Sequence, residues 1–217
     1  MQYQGIQINR FNHDTFQILA GHKVIYFDPY QLEPNQLKPA DYVLITHQHY
    51  DHLSVEDLRK IVFDKTVLLA GGLPERSQLE NLGAKQWQLV KPGENFEFDD
   101  LKVGTVPAYN LNKWRSAGVP YHPKEEAHVG YVIDVGGVRI YHAGDTDNIP
   151  EMSRLKDIDL ALLPVSGTYV MNWQEAADAC GIIKPEVAIP MHYDSLVGAR
   201  ADAEKFKEAV ECRVELI

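Results

Sequence analysis

The sequence predicts an α+β (α/β) fold in which two β-sheets face each other and helices lie outside them. Short β-rich runs recur along the chain, and the order of a β-meander followed by helices occurs twice. A chain of 217 residues is long enough to bury one substantial core. We therefore expect residues 1–217 to form a single domain.

The first half begins with an antiparallel meander. β-rich runs lie at residues 6–8 and 16–18, and a third run at 24–27 follows a Gly21-His22 turn. A buried strand at 42–45 then leads directly into Thr46 and His47. Ser54 is placed to cap a helix that extends to about residue 62. The elements expected after it are a strand at 67–69, a helix at 74–82, and strands at 86–90 and 101–106.

The second half repeats this plan. A hairpin of residues 130–134 and 138–141 turns at Gly136-Gly137. Strands at 160–163 and 187–189 flank a helix that we expect at 173–180, closed by Gly181, and a helix at 200–210 precedes a terminal strand. Residues 107–127 show no clear period, and loops of that length inside a compact domain are usually functional or disordered. We interpret them as a lid-like loop over an active site.

The composition excludes several classes of protein. No segment approaches the ~20 apolar residues of a membrane helix, and the polar start lacks a signal-peptide pattern, so we expect a cytoplasmic protein. Cys180 and Cys212 are too few for a secreted disulfide scaffold, and we expect both to be reduced. With 21 Lys and Arg against 31 Asp and Glu, the net charge of −10 repels a phosphate backbone. The expected partner is a small-molecule substrate, with no nucleic acid and no membrane.

The strongest local signal follows the strand at 42–45. Three imidazoles and one carboxylate fall within six residues, in the run Thr46-His47-Gln48-His49-Tyr50-Asp51-His52. A turn lets neighbouring side chains converge, and imidazole and carboxylate are ligands that suit zinc, iron or manganese. A polar surface loop with chance histidines is the alternative, but four potential ligands in six positions favour a metal site.

Two later residues have the same placement at strand ends. Asp145 follows the strand at 138–141, and His192 follows the strand at 187–189. Taken alone, Asp145 would cap a turn and His192 would be an ordinary hydrogen-bonded histidine. Because loops at strand ends gather ligands from distant parts of a sequence, we expect both residues to join the first cluster.

These motifs resemble those of the metallo-β-lactamase superfamily. His47, His49, Asp51 and His52 match its HxHxDH signature, Gly144-Asp145-Thr146 matches its bridging-aspartate motif, and His192 matches its final histidine. The chain is most similar to the branch of small metal-dependent hydrolases related to L-ascorbate-6-phosphate lactonase, through Asp28-Pro29, residues 141–146 and residues 189–193. The resemblance implies a four-layer αββα sandwich, with two mixed β-sheets, helices outside and a one- or two-metal centre.

The resemblance also implies a ligand set. His47 and His49 would bind the first metal, Asp145 would bridge both metals, and the second metal would be held by Asp51, His52 and His192. The family supplies one more histidine to the first metal, but the aligned residue here is Asn110, a weaker ligand for zinc. His122 or His128 could substitute, and we favour His122 because the lid could fold it over the site. The expected cofactor is zinc, one or two per chain in a mononuclear or binuclear metal centre, with manganese or iron as alternatives.

Other polar residues near the motifs are candidates for supporting the metal ligands or for purely structural roles. Ligating imidazoles need their second ring nitrogen held, and Asp28 and Asp41 are candidates for that role, although both could also terminate strands. His142 is expected to face the interior of its sheet. No role is predicted for His13 or His22, which lie in the opening hairpins.

The implied chemistry is hydrolysis of a small anionic ester, lactone or phosphodiester by a metal-activated hydroxide, with Asp51 as the catalytic residue that holds the nucleophile. Lys113 and Arg115 of the lid, together with Tyr193, are candidate substrate-binding residues. Asn110 motivates the alternative of a metal-binding scaffold with little or no catalysis. A redox branch of the superfamily places Glu where this chain has His49, which argues against iron-dependent oxygen or nitric-oxide reduction. Relatives of this branch are often oligomers, so a homo-oligomer is also an expectation.

Overall fold

The computed structural model describes residues 1–217, with the side chain of Gln36 excepted. The chain divides into two compact units, Met1–Val90 and Lys91–Ile217. Each unit contains a seven-stranded β-sheet, and both sheets mix parallel with antiparallel strands. The expectation of two mixed β-sheets accompanied by helices is therefore confirmed.

The sheet of the first unit follows chain order. Its strands are β1 (Gln2–Tyr3), β2 (Ile6–Asn12), β3 (Thr15–Ala20), β4 (Lys23–Phe27), β5 (Tyr42–Ile45), β6 (Val67–Ala70) and β7 (Gln86–Leu89). The first four strands are antiparallel, whereas β4 to β7 are parallel. The helices are α1 (Val55–Ile61), α2 (Arg76–Glu80) and a short 3-10 turn at Pro34–Gln36.

Local sequence explains the elements that support the metal motif. Every residue of β5 and β6 is buried, as the near-continuous apolar runs of parallel strands require. Helix α1 begins where predicted, because the Ser54 side chain accepts a hydrogen bond from the Asp57 backbone N–H. A cluster of buried apolar side chains, among them Val43, Leu58 and Leu68, packs these strands and this helix together.

The topology of this sheet brings distant segments to one edge. The parallel strands β4 and β5 both end there, which places Asp28 beside Thr46. Because β2, β3 and β4 are antiparallel, the turn that joins β2 to β3 lies at that same edge. Residues 13–14, 28 and 46–47 are therefore neighbours although they are far apart in the sequence.

The second unit has its own strand order. The sheet runs β16 (Arg213–Val214), β15 (Val187–Met191), β14 (Leu160–Pro164), β13 (Val138–His142), β12 (Val129–Val135), β9 (Leu101–Pro107) and β8 (Asn95–Phe98). A separate hairpin is formed by β10 (Trp114–Ser116) and β11 (Val119–Pro120). The helices are α3 (Trp173–Ile183) and α4 (Arg200–Ala209), with 3-10 turns at Lys124–Glu126 and Pro150–Arg154.

Three parallel strands position the polar residues of this unit. Strands β13, β14 and β15 end at one edge of the sheet, so the segments that follow them, which contain Asp145, Ser166 and His192, lie together. Gly130 permits the close approach of β12 to β13. A Cβ atom at position 130 would lie 2.8 Å from the carbonyl oxygens of both His142 and Ala143.

Several predicted boundaries need correction. Helix α3 does not close at Gly181 as predicted but continues to Ile183, and it ends at Lys184 in the left-handed conformation just before Pro185. A glycine inside a helix costs only about 1 kcal/mol relative to alanine, and the packed helix tolerates it. Strand β8 is not among the predicted elements, and the predicted lid loop contains the β10–β11 hairpin and a 3-10 turn. Among the described residues, no helix is both long and apolar enough to cross a bilayer.

Candidate metal centre

The turn after β5 presents a compact set of nitrogen donors. The Nε2 atom of His47 lies 2.9 Å from Nδ1 of His49, and the His47 and His52 ring centroids are 4.1 Å apart. Two atoms that bind one tetrahedral zinc at 2.0–2.2 Å lie about 3.3–3.6 Å from each other. His47 and His49 are thus close to the spacing that one metal ion requires.

Asp28 fixes the orientation of His52. Its Oδ2 atom lies 2.8 Å from Nδ1 of His52, and its two oxygens also accept hydrogen bonds from the Thr46 backbone N–H and hydroxyl, both at 2.7 Å. The carboxylate therefore holds the proton of His52 on Nδ1, so that a metal ion would bind at Nε2. The expected contact between Asp28 and a histidine of the motif is therefore present, whereas the role of His52 as a metal ligand stays a prediction. Asp41 instead accepts a hydrogen bond from the Val24 backbone N–H and lies immediately before β5.

Thr46 extends this orientation to His47. The Thr46 hydroxyl donates to Asp28, so the contact of 2.9 Å between its oxygen and Nδ1 of His47 is one in which the imidazole donates. His47 then carries its proton on Nδ1 and presents Nε2. One buried aspartate and one threonine therefore set the tautomers of two histidines.

The second unit contains a second set of donors around Asp145. The Oδ2 atom of Asp145 lies 3.2 Å from Nε2 of His122 and 3.4 Å from Nε2 of His192. All three side chains are almost completely buried. These distances match the spacing of ligands on one zinc ion. Three residues separated by up to 70 positions in the sequence thus present atoms of the kind and spacing that a divalent metal needs.

Asn110 contacts His122 directly. Its side-chain oxygen accepts hydrogen bonds from the His122 backbone N–H at 2.9 Å and from the His122 ring Nδ1 at 3.1 Å. Its amide group donates to the backbone oxygen of Tyr169 at 2.8 Å. These contacts hold His122 so that Nε2 faces Asp145.

His192 is held in a similar way. The Ser166 hydroxyl donates to the backbone oxygen of Thr168, and it lies 2.9 Å from Nδ1 of His192, so it accepts a hydrogen bond from that ring. His192 itself has a φ of 58°, in the left-handed region that non-glycine residues rarely adopt. Asp28 in the first unit has a φ of 41°. Such conformations concentrate at functional sites, where the surrounding contacts stabilise them.

Two other histidines of the second unit contact backbone or carboxylate groups. Nε2 of His128 lies 3.0 Å from a carboxylate oxygen of Glu126. Nδ1 of His142 accepts a hydrogen bond from the Gly144 backbone N–H, just before Asp145. His142 is completely buried, as expected, and it supports the turn that carries Asp145.

The candidate substrate-binding residues occupy different environments. Lys113 forms an ion pair with Glu175 at 2.7 Å, which attaches its loop to the start of α3, and a second ion pair with Asp147 at 3.4 Å. Burial acts to raise the pKa of Glu175, but its hydrogen bonds, above all that from Lys113, lower the pKa below the ordinary value. Arg115 lies exposed on β10, and Tyr193 is buried next to His192. Their role in substrate binding stays a prediction.

The structure adds two residues for which no role was predicted. His13 and Asp14 form the turn between β2 and β3 and are completely buried. Nε2 of His13 lies 3.5 Å from Oδ2 of Asp51, and His13 and His52 meet edge to face with ring centroids 5.5 Å apart. The predicted meander could have indicated this position, because two antiparallel pairings followed by a parallel one bring residues 13–14 to the edge that carries Asp28.

Comparison with known proteins identifies the family. A family model described as a beta-lactamase superfamily domain matches residues 7–192. A UPF0173 metal-dependent hydrolase of Thermococcus onnurineus is 35% identical and aligns over 98% of this chain and 95% of its own length. A second such hydrolase, from Thermoplasma acidophilum, is 33% identical over 94% of this chain and 90% of its own length.

Solved structures agree with this assignment. A protein from Parabacteroides distasonis superposes with a TM-score of 0.81 at 30% identity and covers 97% of this chain and 92% of that chain. Igni18, a metallo hydrolase from Ignicoccus hospitalis, gives a TM-score of 0.75 at 25% identity, with 98% and 94% coverage. This chain therefore belongs to the metallo-β-lactamase superfamily and has its fold. Within that superfamily it is one of the UPF0173 metal-dependent hydrolases, so the predictions of a family, a fold and an enzyme are confirmed.

Proposed function

We propose that this chain binds one or two zinc ions and hydrolyses a small anionic ester, lactone or phosphodiester. Asp145 would bridge the two metal ions. The first metal would be bound by His47, His49 and His122, and the second by Asp51, His52 and His192. The ligand residues, the number and identity of the metal ions and the substrate class are all proposed here, in addition to membership of the hydrolase family.

One recurring contact carries the ligand assignment. In four of these histidines, Nδ1 meets an oxygen atom and Nε2 is the nitrogen presented for a metal; the pairs are His47 with Thr46, His52 with Asp28, His122 with Asn110, and His192 with Ser166. Ligating histidines almost always have their other ring nitrogen held in this way, because the contact fixes the tautomer and the ring orientation. Histidines in a polar loop without a metal would have no reason to share one pattern.

The missing histidine is replaced by a pair of residues. Asn110 occupies the family position, but its side-chain oxygen is engaged with His122, and His122 presents Nε2 next to Asp145. These contacts favour His122 as the metal ligand over Asn110 itself. They also favour His122 over His128, because Nε2 of His128 lies 3.0 Å from a carboxylate oxygen of Glu126. The alternative of a metal-binding scaffold without catalysis rests on Asn110 standing where the family has a histidine. The contact between Asn110 and His122 weakens that alternative, because His122 can supply the imidazole.

A divalent ion bound by these residues supplies Lewis acidity and lowers the pKa of a coordinated water molecule. Asp51 is the carboxylate next to the imidazole ligands that can hold the proton of an attacking water molecule and orient it. The exposed Arg115 of the β10–β11 hairpin favours an anionic substrate over a neutral one. The net charge of −10 favours a small anion over a nucleic-acid polymer.

Metal analysis tests the ligand set. Protein purified without chelator would be analysed for zinc, manganese and iron per chain, as the wild type and as His122→Ala, His128→Ala and His22→Ala variants. His22 lies in an exposed hairpin turn and serves as the matched control. We expect His122→Ala alone of the three to lose about one equivalent of metal. Loss of metal in His128→Ala, with His122→Ala unchanged, would reverse the assignment.

Turnover tests the function itself. The metal-loaded protein would be assayed against phosphodiester, lactone and ester substrates that carry a negative charge, with matched neutral analogues. We expect hydrolysis of at least one anionic class, abolished in Asp51→Ala even where the metal content is retained. Metal binding at full stoichiometry with no hydrolysis across the panel would support the scaffold instead.

A further inference from the structure

The turn between β2 and β3 is unusual for a hairpin tip. It consists of His13 and Asp14, both of which are completely buried. The next hairpin turn, Gly21-His22, has the same length and is exposed. His13 has a φ of 44°, a conformation that costs energy for a residue other than glycine. A short turn that buries an imidazole and a carboxylate in strained backbone points to a use for those groups.

This turn is fixed to the segment that orients His52. The Thr15 hydroxyl donates to the backbone oxygen of Asp28 at 2.6 Å and accepts from the Tyr30 backbone N–H at 3.0 Å. On the other side of the turn, Arg10 donates from Nε to the backbone oxygen of His13 at 3.2 Å. Thr15 therefore fixes one side of the turn to the segment around Asp28, whose carboxylate contacts His52.

Both side chains face the histidine motif. Nε2 of His13 lies 3.5 Å from Oδ2 of Asp51. A carboxylate oxygen of Asp14 and a ring nitrogen of His52 lie within 4.8 Å of each other. Since Nδ1 of His52 is engaged with Asp28, Nε2 is the nitrogen that a metal would take. A carboxylate buried at this place is an oxygen donor of the type that divalent metals bind.

We propose that this turn is part of the metal centre: Asp14 contributes a carboxylate to the metal ion bound by His52, and His13 is a positioning residue that orients Asp51. A divalent ion bound beside His52 would carry the charge opposite to that of this buried carboxylate. The inference rests on the proposed function, because it requires that His52 binds a metal.

Metal affinity tests the role of Asp14. Apo protein would be titrated with zinc against a chromophoric chelator, as the wild type, as Asp14→Asn and as Asp64→Asn, an exposed carboxylate of the same unit. We expect Asp14→Asn to weaken zinc binding at one site at least tenfold, with no fall in the melting temperature of the apo protein, and Asp64→Asn to bind as the wild type does. Equal affinities in all three proteins would overturn the role of Asp14.

The role of His13 is tested by rescue. The amide nitrogen of glutamine can take the place of Nε2, so His13→Gln should keep zinc affinity near the wild-type value, whereas His13→Ala should weaken it. If both variants weaken binding equally and also lower the apo melting temperature, His13 is structural and the positioning role is wrong. If a His52→Ala variant keeps its full metal content, the proposed function itself is refuted. Failure of the proposed function is thus distinguishable from failure of the role given to His13 and Asp14. If Asp14→Asn does not fold, Asp14→Ser repeats the titration.

A second and independent feature lies at the other end of the chain. Cys180 is buried in α3, and Cys212 is half-buried between α4 and β16, yet their sulfur atoms are only 3.3 Å apart. Both cysteines also line a surface cavity of about 600 Å³, together with Lys184 and Glu211. A small solute in this cavity would therefore have access to the pair.

The two thiols are chemically unequal. The hydrogen bond with Cys180 lowers the pKa of the Cys212 thiol, although burial opposes this, and the same hydrogen bond raises the pKa of Cys180. Cys212 is thus the thiol of the pair that loses its proton more readily, and Cys180 is the thiol in contact with it. A more exposed thiolate with a second thiol in contact is the arrangement of redox-sensitive cysteines.

We propose that the Cys180–Cys212 pair is a site of oxidation by small hydroperoxides. The Cys212 thiolate attacks the outer oxygen of ROOH, the O–O bond breaks, and with one proton the products are ROH and a Cys212 sulfenic acid. The Cys180 sulfur then attacks the Cys212 sulfur, the S–O bond breaks, and the Cys180 proton leaves with the hydroxide as water. The net change is a disulfide, with the two thiols oxidised and the hydroperoxide reduced.

Intact mass tests this site. Protein in the reduced state would be treated with stoichiometric hydrogen peroxide in the presence of a chelator, as the wild type, Cys180→Ser and Cys212→Ser. We expect the wild type to lose the mass of two hydrogen atoms and to recover it with a dithiol reductant. Cys180→Ser should give a sulfenic acid that dimedone traps, whereas Cys212→Ser should react at least tenfold more slowly. An unchanged wild-type mass, or equal rates in the two variants, would overturn the proposal.

Discussion

Replacement of Asp28 by asparagine tests whether this carboxylate sets the tautomer of His52. Oδ2 of Asp28 accepts from both the Thr46 hydroxyl and Nδ1 of His52, and Oδ1 accepts from the Thr46 backbone N–H. In the Asp28→Asn variant, the side chain would keep one acceptor and would present an amide N–H₂ group in place of the other. Nδ1 of His52 could accept a hydrogen bond from that amide only if the imidazole proton moved to Nε2. A protonated Nε2 could no longer bind a metal ion.

The expected magnitude follows from that tautomer change. Loss of an orienting partner costs roughly 10–100-fold in metal affinity, which corresponds to about 1.4–2.7 kcal/mol of binding free energy. The assay is a competitive zinc titration of apo Asp28→Asn beside Asp41→Asn. Asp41 accepts a hydrogen bond from the Val24 backbone N–H, which makes it a matched control. Wild-type affinity in Asp28→Asn, or an equal loss in Asp41→Asn, would refute this reasoning.

Two further predictions concern the second unit and the stability of the first. Gly198→Ala would place a Cβ atom 2.6 Å from Cβ of Ser166 at a φ of 69°, so we expect weaker metal binding because Ser166 must move away from His192. Gly137 has a similar φ of 81°, but a Cβ atom there would meet no atom within 4 Å, so Gly137→Ala serves as the control. Melting curves and metal titrations of both variants should show that Gly137→Ala lowers the melting temperature and leaves metal affinity unchanged. Asp57 is buried and accepts three hydrogen bonds, so Asp57→Asn should lower the free energy of unfolding by about 1.5–3 kcal/mol at pH 7. Burial acts to raise the pKa of Asp57, but these hydrogen bonds outweigh it and lower the pKa below its ordinary value. The stabilisation is therefore present above about pH 4 and is lost as the pH falls through the pKa of the folded state. In urea denaturation, the difference in unfolding free energy between the wild type and Asp57→Asn should be smaller at pH 3 than at pH 7, and an equal difference at both pH values would contradict this reasoning.

The sequence by itself determined the fold class and the family. The alternation of short apolar runs with turns depends on local periodicity, which can be counted without coordinates. The run from His47 to His52 and the motif around Asp145 are local as well, so their chemistry could be identified from residue type and spacing. The start of α1 after its N-cap Ser54 was also predictable, because the serine hydroxyl and the backbone N–H of Asp57 that donates to it are only three residues apart.

Helix and loop boundaries were only partly local. Gly181 has the right identity to end a helix, but α3 continues past it because packing of the helix outweighs the small cost of one glycine. In the same way, the residues of the predicted lid loop have no clear period, yet β10 and β11 pair within it. Tertiary context can override local preference wherever that preference is worth about 1 kcal/mol or less.

Only the tertiary structure decided which polar residues act on which histidines. Asp28 and His52 are 24 residues apart, Asn110 and His122 are 12 apart, and Ser166 and His192 are 26 apart. The burial of the two-residue turn at 13–14 likewise depends on which strands pair. Residue type tells which atoms can bind a metal, but the tautomer and direction of each imidazole depend on hydrogen bonds between segments that the chain brings together only when its sheets form.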